Sequence, residues 1–148
     1  MDDSPIEVRH GEVVISTDRT RIDPDAALVL LRATHWGTGM SRETLTRAIA
    51  NSICFGVYQG RELIGLGRAV TDLATYAYWT DVVIAPTHRG RGLGRWLSDC
   101  MLAHPELQGL RRVALLTRDA AGLYTQIGFS QGPGPLIYME RKPPGNAA

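Results

Sequence analysis

The chain has 148 residues, 44% hydrophobic and 21% charged, with a formal net charge of +1. This size and composition are typical of one globular domain and exclude a disordered or fibrous protein. No apolar stretch approaches the ~18 residues of a membrane span, the N-terminus is acidic, and the two cysteines lack metal-ligand spacing. We therefore expect a cytoplasmic protein without a membrane partner or a metal centre. Residues 1–142 should form a single domain and residues 143–148 a disordered tail.

Charge is distributed unevenly along the chain. Residues 1–25 contain seven acids and three arginines, whereas residues 86–118 contain six arginines and two acids. A basic segment of this kind suits a ligand that carries phosphate groups. Nucleic-acid surfaces usually have a larger positive excess with interleaved aromatic residues, so we expect no nucleic-acid partner.

The first part of the chain predicts a strand or hairpin followed by two helices. Residues 6–16 alternate loosely between apolar and polar, which indicates the strand or hairpin. Asp23 and Pro24 are typical of the N-cap and first position of a helix, which should end near residues 35–37. Ser41 and Thr44 resemble a capping box and predict the start of the second helix.

The rest of the chain predicts three consecutive strands and then alternating helices and strands. The three strands, at 53–58, 62–71 and 75–85, form an antiparallel meander. A helix from Leu93, a short buried strand at 112–117, a helix capped by Asp119 and a last strand near 135–140 complete the order. The order β-α-α-β-β-β-α-β-α-β predicts an α+β fold with a mixed, mostly antiparallel central sheet flanked by helices.

The segment from Val82 to Arg95 carries the strongest functional signal, because a strand leads into a glycine-rich turn that opens a helix. Glycines let successive backbone N–H groups approach one anion, and the helix start adds a partial positive charge of ~0.5. The pattern predicts a pyrophosphate site. It lacks the ending of a P-loop and the third glycine of a dinucleotide fingerprint. The alternative is a helix start whose glycines only allow tight packing.

Two motifs resemble those of the GCN5-related N-acetyltransferase (GNAT) family. The segment Arg89-Gly90-Arg91-Gly92-Leu93-Gly94 matches the family pattern Arg/Gln-x-x-Gly-x-Gly/Ala. The preceding Val82-x-Ile84-x-Pro86 is similar to the family's lead-in, and residues 123–129 (LYTQIGF) are similar to its second motif, Leu-Tyr-x-x-x-Gly-Phe. The resemblance covers roughly residues 25–140 and implies the GNAT fold, with the sheet and helix order given above.

The resemblance also implies acetyl-CoA as the cofactor. Backbone N–H groups of the 89–95 loop would bind its pyrophosphate, and the backbone of residues 82–84 would bind the pantetheine arm. One N–H would stabilise the oxyanion of the tetrahedral intermediate, a contribution of ~3 kcal/mol. Arg89, Arg91, Arg95 or Arg118 would pair with the 3′-phosphate, the alternative being a solvated surface charge. The implied cofactor-binding residues are Val82, Val83, Ile84, Arg89, Gly90, Arg91, Gly92, Leu93, Gly94, Arg95 and Asp119.

Tyr124 and Asp81 are the candidate catalytic residues. Tyr124 matches the family's general acid, and a phenol with a pKa of about 10 can protonate a leaving thiolate. The alternative for Tyr124 is a buried aromatic with a satisfied hydroxyl. Tyr78 stands where many family members carry a glutamate base. Asp81, the only acid on this strand, is a candidate base or substrate anchor if a β-bulge turns it to the face of Tyr78. The alternatives are pairing of Asp81 with an arginine and a water chain as proton acceptor.

The acceptor site is expected between the helices near 28–50 and the meander. Its polar and aromatic residues suit a small primary amine or an amino-acid-like acceptor. The substrate-binding candidates are Trp36, Asp72, Tyr78 and Trp79, with core packing as the alternative for the aromatic residues. The resemblance implies direct attack in a ternary complex and allows a homodimer. The rival hypotheses are a non-catalytic acyl-CoA binding or sensing module and a partner-binding module on the same fold.

Overall fold

The computed structural model describes residues 4–34 and 39–144. It contains two compact units, residues 1–116 and residues 117–148. The strands are β1 (Glu7–His10), β2 (Val13–Ser16), β3 (Ile53–Gln59), β4 (Glu62–Thr71), β5 (Tyr76–Ile84) and β6 (Arg112–Leu115). The α-helices are α1 (Pro24–Arg32), α2 (Arg42–Ala50), α3 (Leu93–Ala103) and α4 (Ala121–Gln126). No helix of the described residues is long and apolar enough to cross a bilayer.

The first unit is built on a six-stranded sheet in the order β1-β2-β3-β4-β5-β6. Neighbouring strands from β1 to β5 are antiparallel, and β5 and β6 are parallel. The predicted α+β fold with a mixed, mostly antiparallel sheet is therefore confirmed. The segment at 6–16 forms a hairpin, and each strand of the meander lies within one residue of its predicted bounds.

Helices cover both faces of this sheet. The apolar sides of α1 and α2 pack with Cys54 of β3, Leu66 of β4 and Val83 of β5 in one cluster. Gly67, the next residue of β4, faces the other way: a Cβ there would lie 2.8 Å from the Met101 sulfur of α3. Since side chains alternate along a strand, α3 lies on the opposite face from α1 and α2.

The two predicted N-caps of the first unit are confirmed. The Asp23 side chain accepts the backbone N–H of Asp25, with Pro24 at the start of α1. The Ser41 hydroxyl accepts the backbone N–H of Thr44 at 3.1 Å. Each cap satisfies an N–H group that has no partner within its helix. Helix α1 ends at Arg32, earlier than predicted, and residues 35–38 lie outside the described part of the chain.

The predicted last strand at 135–140 is wrong, because these residues have no regular secondary structure. Four consecutive apolar side chains there, residues 136–139, are 59–85% exposed, whereas a strand packed on one face buries every second side chain. The segment follows Gly132-Pro133-Gly134-Pro135, whose prolines have no N–H group to donate to a ladder. The strand at 112–117 is also shorter and less buried than predicted, since β6 ends at Leu115 and is half-buried at most.

Asp119 does not cap α4 as predicted. The N-cap is Ala120, which makes no side-chain capping bond. The Thr117 hydroxyl accepts the Ala120 N–H at 3.0 Å, so a side chain two residues before Asp119 closes the turn that precedes the helix. The chain therefore enters the helical conformation only at Ala121, two residues after Asp119. Residues 145–148 of the predicted tail lie outside the described residues.

Candidate active site

Strand β5 contains a β-bulge close to the glycine-rich loop. Arg68 of β4 pairs with Thr80 of β5, and Leu66 pairs with Val83. One residue of β4 therefore lies opposite two residues of β5, numbers 81 and 82. An extra residue on one strand is the definition of a bulge, and it reverses the alternation of side chains beyond it.

Asp81 occupies the bulge in a left-handed conformation, with φ of 56°. This region costs a non-glycine residue on the order of 1–3 kcal/mol, although aspartate is among those that tolerate it best. Because of the bulge, the Asp81 carboxylate lies on the same face of the sheet as Arg68. Val70, two residues along β4, shares that face and pairs with Tyr78. The bulge therefore brings Asp81 to the face of Tyr78.

The Asp81 carboxylate is paired with a buried arginine. Arg68 Nε donates to Asp81 Oδ2 at 3.0 Å, and the two side chains are 12% and 3% exposed. Arg68 Nη1 also donates to Ser52 Oγ at 3.0 Å, and Ser52 Oγ donates to the Ala48 carbonyl near the end of α2. Buried charges need such partners. The geometry thus matches the arginine pairing that stood as the alternative to a catalytic Asp81.

The outer edge of β5 is open beyond the bulge. Pairing with β6 joins Tyr76 to Arg112 at one end and Trp79 to Leu115 at the other, and it stops there. Residues 80–84 continue past the last pair, so their outward backbone groups have no strand partner among the described residues. An edge of this kind accepts an extended, amide-bearing ligand as an additional strand. The open edge of β5 contains Val82, Val83 and Ile84, the residues predicted to contact the pantetheine arm.

The loop after β5 forms a cradle with open space above it. Gly90 and Gly92 have φ of 80° and 77°, which glycine adopts without strain. A Cβ at either position would meet nothing within 4 Å. Gly92 is the N-cap of α3 and supplies no side-chain capping bond, so the first N–H groups of the helix, from Leu93 on, lack a side-chain cap. These features fit a diphosphate.

Three arginines surround the cradle. Arg89 Nε donates to the Ile84 carbonyl at 3.2 Å, which ties the loop to the end of β5. Arg95 forms an exposed pair with Asp99 at 3.3 Å, and such surface pairs contribute little energy. Among the described residues, Arg91 has neither an ion pair nor a hydrogen bond. Its charge is therefore available to an anionic ligand.

Tyr124 lies in α4 of the second unit and is 8% exposed. Burial raises the pKa of its phenol above the ordinary value, so the hydroxyl stays protonated at neutral pH. The ring packs edge-on against Phe129 with centroids 5.6 Å apart, and the Phe129 N–H donates to the Tyr124 carbonyl. Arg118 and Asp119 are exposed in the same unit. Tyr124 is thus a closely packed phenol whose hydroxyl is protonated at neutral pH.

The three acceptor-site candidates within the described residues, Asp72, Tyr78 and Trp79, are not gathered in one place. Trp79 is 2% exposed and packs in the core, while Tyr78 is half-buried on the face that also carries Asp81. Asp72 accepts N–H groups of the turn before β5, including that of Thr75 at 2.7 Å, so it lies at the opposite end of β5 from the cradle. Trp36 lies outside the described residues.

A cavity of about 250 Å³ also lies at that distant end of the sheet. Its lining includes Asn51 and Thr71. The cavity is therefore separate from the cradle. No cluster of three or more metal-ligating side chains occurs among the described residues.

Arg68 and Ser52 are the site residues that sequence reasoning missed as partners of Asp81. A signal was present: Arg68 is the one charge within the apolar interior of β4, and Asp81 is the one acid of β5. Two lone opposite charges on neighbouring strands predict a buried pair, provided that the register brings them together. The bulge sets that register.

Comparison with known proteins agrees with the site. A family model described as an acetyltransferase (GNAT) domain matches residues 50–131. A curated protein of Gibberella zeae, provisionally named as an acetyltransferase, is 35% identical, with 77% of this chain and 76% of that protein covered. A Xanthomonas campestris crystal structure, provisionally assigned to the GNAT acetyltransferases, is 40% identical with a TM-score of 0.85, covering 93% of this chain and 96% of that one.

A predicted acetyltransferase from Clostridium acetobutylicum, crystallised with acetyl-CoA, is similar in fold alone. It has a TM-score of 0.63 at 13% identity and covers 93% of this chain and 95% of that one. Fold, cradle and matches together define the class, an acyl-CoA-dependent N-acyltransferase. The chain belongs to the GNAT family of acetyltransferases.

Proposed function

We propose that this protein transfers an acetyl group from acetyl-CoA to the primary amine of a small molecule or amino-acid-like acceptor. The observation that carries the proposal is the succession of two features along the chain: the open edge of β5 at residues 80–84 leads, through one short helical turn at Pro86–His88, to the cradle at Gly90 and Gly92. An open strand edge suits an arm with amide groups, and the cradle suits a diphosphate. Acetyl-CoA combines both groups and supplies an activated acyl thioester.

The chain's own groups divide the binding task. Outward N–H groups of residues 82–84 donate to the pantetheine amides and polarise the acyl carbonyl. N–H groups of residues 90–95 hold the diphosphate. Arg91, whose side chain has no other partner among the described residues, pairs with the 3′-phosphate. Arg118 and Asp119, both exposed, remain proposed contacts of the cofactor.

Tyr124 acts as the general acid in this proposal. Its raised pKa keeps the phenol protonated, so it can donate its proton to the departing thiolate. Neither cysteine is suited to a covalent route, because burial raises the pKa of the Cys54 thiol to about 12 and also raises that of Cys100. This supports direct attack by the amine in a ternary complex.

The proton of the attacking amine is proposed to leave through water. Asp81 is the only acid of β5, but its carboxylate is engaged by Arg68 and is nearly inaccessible. Tyr78 stands at the position where many members of the family carry a glutamate. This last feature favours a second candidate function, a non-catalytic acyl-CoA binding or sensing module.

The decisive experiment compares wild type with Tyr124→Phe. Coenzyme A release is measured with acetyl-CoA and a panel of small amines and amino acids, and acetyl-CoA binding is measured by calorimetry. We expect kcat to fall about 10²-fold in Tyr124→Phe with unchanged affinity for acetyl-CoA. Tyr138→Phe is the matched control, since Tyr138 is an exposed tyrosine of the same unit.

Each other outcome identifies a different failure. Equal turnover by wild type and Tyr124→Phe would remove the tyrosine from catalysis. Tight acetyl-CoA binding without turnover on any amine would support the binding module. Absence of binding by a folded wild-type sample would refute both functions.

A further inference from the structure

The buried pair of Arg68 and Asp81 takes no part in the reaction proposed above, yet it adjoins the edge that binds the ligand. We propose that Arg68 is a positioning residue. By holding Asp81 in its left-handed conformation, it fixes the bulge of β5 and thereby aligns the N–H groups of residues 82–84. The inference rests on the proposed function for its catalytic consequence, although its conformational part concerns the protein without ligand.

The bulge sets the register between β4 and the last residues of β5. Without the extra residue, β5 would pair regularly with β4, and every side chain beyond the bulge would move to the other face. Val83 would then leave the apolar cluster beneath α1 and α2. The N–H groups of residues 82–84 would also exchange their inward and outward directions. The bulge therefore decides which N–H groups reach the open edge.

The backbone of Asp81 is strained in the bulge. A non-glycine residue at φ of 56° keeps such a conformation only where the surrounding structure holds it. Among the described residues, Asp81 forms one ion pair, the 3.0 Å contact with Arg68, in which both side chains are nearly inaccessible to solvent. A charge-assisted bond with so little access to water is among the strong ones.

Arg68 is itself held by contacts at the end of α2. Arg68 also donates to Ser52 Oγ, which in turn donates to the Ala48 carbonyl. The guanidinium thus ties the bulge to the end of α2 through a planar, two-sided contact. A lysine carries the same charge but cannot reproduce this fork. The bulge is accordingly fixed to the helical layer as well as to β4.

The test uses glycine to separate conformation from charge. In an Arg68→Met background, Asp81→Gly and Asp81→Ala both remove the carboxylate, but only glycine adopts the left-handed conformation freely. Removing both charges of a buried pair is often tolerated, so these proteins are expected to fold. Thermal melting and circular dichroism verify the fold of each variant.

Two properties of these variants are measured in parallel, the backbone conformation without ligand and the activity with acetyl-CoA. In the ligand-free proteins, the amide NMR shifts of residues 82–84 report the bulge. We expect Arg68→Met/Asp81→Gly to retain the wild-type shifts and Arg68→Met/Asp81→Ala to move them. With acetyl-CoA, the alanine variant should lose about 10²-fold in kcat/KM, because a misaligned backbone donor costs that much, and the glycine variant should recover most of it.

The outcomes distinguish this proposal from its rivals. Equal loss of kcat in the glycine and alanine variants, with wild-type shifts in both, would make Asp81 a catalytic base and refute the proposal. If both double variants lose the same amount of melting temperature and have the same kcat as wild type, the pair of Arg68 and Asp81 only stabilises the fold. That result would also refute the proposal. If wild type neither binds nor uses acetyl-CoA, the proposed function fails, while the ligand-free shifts still decide whether the pair sets the bulge.

Discussion

Substituting Gly92 tests the cradle most directly. Its φ of 77° means that any side chain is strained there, at roughly 1–2 kcal/mol of stability, although a Cβ meets nothing within 4 Å. Gly92→Glu and Gly92→Gln share this cost and differ only in charge. The comparison between them therefore isolates the electrostatic preference of the site.

The expected difference follows from Coulomb's law. A carboxylate about 6 Å from one phosphate charge is repelled by about 0.7 kcal/mol in water and about 2.8 kcal/mol at an effective dielectric constant of 20. The cradle is exposed, which favours the lower of these two values, but a diphosphate carries two charges. We therefore expect the total repulsion between the Glu carboxylate and the diphosphate to be about 1.5–3 kcal/mol. That corresponds to an affinity for acetyl-CoA about 10- to 150-fold weaker in Gly92→Glu than in Gly92→Gln.

Calorimetry with acetyl-CoA measures this difference, and thermal melting measures the shared loss of stability. Gly109→Glu serves as the control, because Gly109 has φ of 73° with similarly open space but precedes β6, at the far end of the sheet. Its affinity should equal that of wild type. Equal affinities of the Gly92→Glu and Gly92→Gln proteins would refute an anion cradle at this loop.

Two further predictions concern buried and turn-forming groups. Burial raises the pKa of the Cys54 thiol to about 12. In a Cys100→Ser protein at pH 8, Cys54 should therefore react with a thiol reagent about 10³-fold more slowly in the native state than in the urea-unfolded state. Equal rates in the two states would contradict the burial of Cys54. The hydroxyl and N–H of Thr75 hold the pKa of Asp72 below its usual range, so Asp72→Ala should lower the melting temperature at pH 7. Since the folded pKa is depressed, this difference should shrink as the pH falls below about 3.9, and a difference that persists unchanged to pH 2 would contradict the reasoning.

Features that depend on near neighbours in sequence were predictable. The caps at Asp23 and Ser41 require only a side chain and an N–H group two or three residues away. The meander and the glycine-rich loop were predictable for the same reason, since hairpin turns and strand alternation are local patterns. The candidate cofactor residues rest on the resemblance of that loop and its neighbouring segments to the GNAT family, and they stay predictions.

Features that depend on pairing between distant residues were not predictable. The contact between Arg68 and Asp81 requires the register of β4 and β5, which a single extra residue changes. The segment at 135–140 has the composition of a strand, but a strand also requires a partner and one buried face. Asp119 has the right side chain for a cap, yet Thr117, two residues earlier, accepts the hydrogen bond from the Ala120 N–H group.

The order of the strands has a consequence for how the sheet is assembled. Strands β1 to β5 are each antiparallel to the next, so most of their pairings join residues close in sequence, which form quickly. The parallel pairing of β5 with β6 must wait for the crossover through α3, and it comprises only four residue pairs. We therefore expect β6 to join last and its amides to exchange with solvent first. A ligand that lies along the neighbouring edge of β5 would slow that exchange, so ligand binding and closure of the sheet are coupled in this fold.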